Sequence, residues 1–170
     1  MFDFFKSKDS DIIEALTNQT IGGQAHLARV FKECFGLKPS KLRRLELYYF
    51  AASVMTYVYL RTGKQPNREE ILDKYTRKVL EKGLFATNED IRFSAVRKEY
   101  QDRFHDYSSF INMIFNSKPG DENFACTLLT HAFEYITQSS AREHMVHILA
   151  ATGIVHEYIL DHLDFVKEKL

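Results

Sequence analysis

Between Leu45 and Leu60 the chain reads LELYYFAASVMTYVYL, an apolar run interrupted only by Glu46, Ser53 and Thr56. A helix that is apolar on every side has to be surrounded by other elements, so this stretch predicts a buried central helix with the rest of the chain packed around it. The run is shorter than the ~20 residues a bilayer crossing needs, contains a carboxylate and is flanked by cations, so no membrane span is expected.

The punctuation around this helix predicts its neighbours. Ser10 caps a short first helix carrying Ile12, Ile13 and Leu16, and the Gly22-Gly23 pair should break it, because glycine loses the most backbone entropy in a helix. A second piece follows with Leu27, Val30, Phe31 and Cys34 on one stripe, stopped by Gly36 as a left-handed cap and then Pro39. The central helix is expected over about 40–62, closed by Gly63 and Pro66. Asn67 with Glu70 reads as a capping box for a helix ending at Gly83, whose buried stripe is Ile71, Leu72, Tyr75 and Val79.

Thr87 opens a long helix to about Phe115, with Tyr100, Phe104, Tyr107 and Ile111 at helical spacing. Pro119, Gly120 and Asp121 start a fifth segment to about Thr137, and Ser140 with Glu143 caps a last helix to about Lys167. No segment alternates in the manner of a strand. The expected fold is therefore all-α: a single-domain bundle of five or six helices around the central helix, with residues 1–9 as a flexible lead. A chain of 170 residues buries roughly 70% of its unfolded surface, enough for a core without staples.

Fourteen Phe and nine Tyr with no Trp supply an aromatic core. Cys34 and Cys126 lie in apolar helical stripes without metal-ligand spacing, which predicts two free, buried thiols. The amino terminus MFDFFKSKDSD has too short an apolar run for a signal peptide, so a cytoplasmic protein is expected.

Catalytic motifs fail one by one: there is no G-x-S-x-G, no glycine-rich phosphate loop, no H-E-x-x-H and no G-x-G-x-x-G. His105-Asp106 resembles the doublet of HD-type phosphohydrolases, a helical metal-dependent family. The resemblance covers two residues. The one earlier histidine is His26 and no later aspartate is placed by a motif, so the other ligands that family would imply have no assigned positions. Five of the seven histidines fall in the last third, which raises zinc or iron as a cofactor held by His131, His144 and His147 from two facing helices. Helical phase puts His131 at a boundary and Glu134 toward water, and the E-x-x-H repeat of di-iron bundles is absent.

Charge is segregated although the net charge is zero. Residues 38–82 hold eleven Lys or Arg against five Asp or Glu, whereas residues 83–170 hold eight against thirteen. Lys38, Lys41, Arg43 and Arg44 crowd the start of the central helix, where the dipole disfavours cations, a placement that suits a docked anion such as nucleic acid or another polyanion.

The last helix has more apolar surface than one core face accounts for. Ile148, Val155, Ile159 and Val166 form one line. Val146, Leu149, Gly153 and Leu160 form a second well round the helix, with Gly153 marking a close backbone approach. That second line is covered either by the chain's own helices or by a second copy in a homodimer. The expected class is accordingly a non-enzymatic protein-protein interaction or assembly protein that self-associates through its C-terminal helix. A metal-binding helical enzyme or sensor and a polyanion-binding module are the alternatives.

Overall fold

The structure, a computed structural model, describes residues 8–38, 40, 42–118 and 123–170. Among them it forms six α-helices: α1 (Lys8–Phe35), α2 (Arg44–Thr62), α3 (Arg68–Thr87), α4 (Phe93–Asn116), α5 (Asn123–Thr137) and α6 (Met145–Lys169), with a 3-10 turn over Ala141–His144 before the last. The described residues contain no strand. No helix of the described residues is long and apolar enough to cross a membrane.

The apolar run becomes α2, which packs against all five other helices. Leu45 to Thr56 are buried without a gap, as are Val58 and Tyr59. The helix surfaces at its first residue, Arg44, and toward its end, where Tyr57 and Leu60 are half-buried and Arg61 is exposed. Aromatic rings fill the space around it: Phe50 meets Tyr107 edge-on at 5.2 Å between centroids, and Phe31, Phe35 and Phe133 form a cluster between α1 and α5. Two pairs of buried hydroxyls are matched across helices, Thr56 with Tyr100 at 2.8 Å and Thr20 with Tyr75 at 2.7 Å.

Two expected breaks are absent. The first two helices are one continuous α1 of 28 residues running through Gly22 and Gly23. The entropic cost of glycine, ~1 kcal/mol each, is outweighed by packing, since any Cβ at Gly23 would stand 2.5 Å from the Tyr158 hydroxyl. Likewise α3 continues past Gly83, where a Cβ would meet the Tyr48 ring at 2.9 Å, and ends instead at Asn88 in the left-handed conformation. Both glycines mark close helix approach. Gly36 does adopt the left-handed cap, with φ of 63°.

Other boundaries shift. Arg44 rather than Ser40 opens α2, and Phe93 rather than Thr87 opens α4. Asn67 does not cap α3; its amide donates to Asp9 at 2.6 Å, tying α3 to the start of α1. Of the expected flexible lead, Lys8 and Asp9 belong to α1, and residues 1–7 lie outside the described residues, as do Pro119, Gly120 and Asp121 at the expected start of α5. Cys34 and Cys126 are free and half-buried rather than buried.

Candidate functional site

The solvent side of α6 is built from the end of α5 upward. Glu134 on α5 accepts from the Ala141 amide at 3.2 Å, and the Ser140 hydroxyl accepts from the Arg142 amide at 3.3 Å, which satisfies two amides of the turn between the helices. From Met145 the helix is regular. Its buried residues, Ile148, Ala151, Thr152, Val155, Tyr158, Ile159, His162 and Val166, form one broad face against α1, α2 and α5.

At 100° per residue, Val146, Leu149, Gly153 and Leu160 lie on the side opposite the centre of that face. Val146 is 77% exposed, Leu149 60% and Leu160 37%, and Gly153 is half-buried. Val146 and Leu149 are thus left mostly open, whereas Gly153 and Leu160 are partly covered. Phe85 on α3 is more exposed still, at 89%, but the residues three and four positions before it are Lys82 and Glu81, and Asn88 and Glu89 follow beyond the helix end. The α6 line is the longer apolar surface.

The three histidines considered for a metal are not brought together. His131 stacks on Phe110 of α4 at 5.1 Å between centroids, whereas His144 packs on Phe133 at 4.9 Å and His147 lies against Phe35 at 6.3 Å. Residues 131 and 133 point to different sides of α5, 200° apart, which separates His131 from the other two. His144 and His147 neighbour each other at 6.1 Å between ring centroids. Among the described residues no group of three His, Cys, Asp or Glu is placed to hold a metal ion. His131 instead lines an open groove of about 720 Å³ with His105, Asp106 and Asn112. Asp106 accepts there from the Tyr135 hydroxyl at 2.8 Å.

The cation cluster is divided by the structure. Lys41 lies outside the described residues, Lys38 is exposed in the loop after α1, and Arg44 is exposed at the first turn of α2. Arg43 is engaged internally, donating to Glu46 at 2.7 Å and to Glu99 at 2.8 Å. Arg44 lines a groove of about 480 Å³ with Arg29 and Lys32 from α1, two cations the cluster's spacing did not bring in.

Glu46 is the site's unforeseen neighbour. Its side chain is fully buried and accepts from Arg43 and, through both oxygens, from Arg103 of α4 at 3.0 Å each. The Arg103 guanidinium also lies over the Tyr135 ring, 3.6 Å from its centre. Burial pushes the Glu46 carboxyl above its ordinary value, opposed by Arg103 and Arg43. Tyr49, buried and donating to Glu99, has its phenol pKa raised by burial and by that carboxylate. A carboxylate inside an apolar helix was the available signal for such a cluster; its partner fifty-seven positions away was not.

Comparison of the chain with family models, curated proteins and solved structures gave no significant match. The functional reading therefore rests on this geometry alone.

Proposed function

We propose that this chain is a non-enzymatic assembly module that pairs with a second copy of itself through the solvent side of α6. The observation that carries the reading is the apolar line on the side of α6 opposite its core face, with Val146 and Leu149 both more than half exposed. A long apolar line kept in water is a docking surface or an aggregation liability.

The spacing favours a second copy as the occupant. Val146 and Leu160 stand seven residues to either side of Gly153. A two-fold axis through Gly153 that sets the two helices antiparallel lays each Val146 on the other copy's Leu160, about 10 Å from the axis at the α-helical rise. Gly153 sits where the helices cross, and with no side chain there the backbones approach closely. The same operation sets Arg142, before the helix, toward Asp164 of the other copy, so the charges at the two ends are complementary. Cytoplasmic location accompanies this proposal as an expectation.

Mass in solution tests it. The chain should run at about twice its 19.9 kDa, and Leu149→Glu, which places a charge in the seam, should return it to the mass of one chain with its helix content unchanged. A wild-type protein of single-chain mass at high micromolar concentration overturns the proposal.

A further inference from the structure

A recess of about 300 Å³ between α1 and α6 is lined by Tyr158 and His162, each of which has one buried polar atom without a partner. The Tyr158 hydroxyl and the His162 Nε2 atom are both sealed from bulk water and make no hydrogen bond. An unsatisfied buried group costs ~1–3 kcal/mol, so two beside one recess need an explanation.

Their chemistry can be read from their neighbours. His162 Nδ1 lies 2.8 Å from the Tyr158 carbonyl oxygen. A carbonyl only accepts, so Nδ1 carries the hydrogen and Nε2 presents a bare lone pair. Burial pushes the pKa of this imidazole down, which keeps the lone pair at neutral pH. The Tyr158 hydroxyl also offers lone pairs, and it reaches the α1 backbone only because position 23 is glycine. Toward the mouth stand the carboxylates of Asp161 and Glu157, both on exposed residues. His26 lines the same recess, its ring parallel to that of Tyr158. Its Nδ1 accepts from Arg29.

Behind its wall the recess thus has two buried acceptors, and at its mouth negative charge. We propose that it binds a small organic cation with several N–H donors, a guanidinium or a primary ammonium. Two donors from one planar guanidinium meet the His162 Nε2 and Tyr158 oxygen lone pairs while the positive charge faces Asp161 and Glu157. The half-buried Gln19 and His26 side chains form part of the wall, and a change of rotamer there admits the guest. The group left outside the recess is free to extend into solvent, so the class includes monosubstituted guanidines and alkylamines.

Methylguanidinium chloride titrated into the full chain tests this, with side-chain nitrogen NMR of His162 as the readout and potassium acetate at equal ionic strength as the control. The expected result is a saturable shift at His162 Nε2, with a Kd near ~1 mM or tighter, and no saturable shift with acetate. Asp161→Asn, a change at an exposed position, should weaken binding about threefold, the size of an exposed ion pair. His162→Phe should weaken it at least about tenfold, followed at Tyr158. No saturable shift, the same shift with acetate, or unchanged affinity in Asp161→Asn overturns the proposal, and that arm stands even if His162→Phe does not fold.

Discussion

Replacing Glu46 by alanine removes the one fully buried carboxylate among the described residues. Three hydrogen bonds go with it: one from Arg43 at 2.7 Å and two from Arg103 at 3.0 Å. Arg43 keeps Glu99, but Arg103, whose side chain is only 18% exposed, keeps no acidic partner in its immediate contacts. Breaking a buried ion pair by deleting one member costs about 3–5 kcal/mol, because the other charge stays desolvated. Arg43 retaining a partner and the residual exposure of both arginines place Glu46→Ala at the low end, about 3 kcal/mol. For a domain of this size that is a fall in Tm of about 6–12 °C. Scanning calorimetry gives the shift, and urea unfolding gives the free energy. The double variant with Arg103→Ala isolates the pair and should show a coupling of at least about 1.5 kcal/mol. A loss below about 1 kcal/mol for Glu46→Ala, or a coupling near zero, would refute the reasoning that this cluster is paid for by mutual satisfaction.

The glycines of α1 separate two roles: Gly22→Ala, with open space at its Cβ, should stabilise by about 0.5–1 kcal/mol, whereas Gly23→Ala forces a contact on Tyr158 and should cost about 1–3 kcal/mol, both read by urea unfolding. His162 has its pKa lowered by burial from the ordinary value of 6.5. Its contribution is therefore present above that value and lost as pH falls through it toward the lower folded-state pKa, with a slope of at most ~1.4 kcal/mol per pH unit. His162→Gln should flatten that part of the stability profile, and an unchanged slope contradicts the assignment. Val146→Glu should dissociate the pair as Leu149→Glu does, while Phe85→Glu on α3 should leave the mass in solution unchanged.

The architecture was legible wherever one local signal decided it. The 45–60 run stated its own burial, the stripe of Ile71, Leu72, Tyr75 and Val79 is buried as its period required, and Gly36 took the left-handed cap. Local signals misled where tertiary contact overrode them. Gly22-Gly23 and Gly83 read as breaks because glycine weakens an isolated helix, yet Gly23 and Gly83 are places where Tyr158 and Tyr48 press against the helix backbone. Asn67 had the composition of a cap, and a carboxylate from α1 claimed its amide. The candidate sites divide the same way. The exposed line of α6 followed from helical phase within one segment. The engagement of Arg43, the separation of His131 from His144 and His147, and the recess under Tyr158 depend on how helices distant in sequence meet, which periodicity does not carry.

Site-directed crosslinking across the α6 seam tests self-association most directly. In a background with Cys34 and Cys126 replaced by serine, Val146→Cys combined with Leu160→Cys places each thiol beside one of the other copy, whereas the two copies of Val146→Cys alone stand about 21 Å apart along the seam. Rapid, near-complete disulfide dimer from the combined variant and none from Val146→Cys alone is the predicted pattern. No crosslink in the combined variant, or Val146→Cys alone crosslinking as readily, contradicts it.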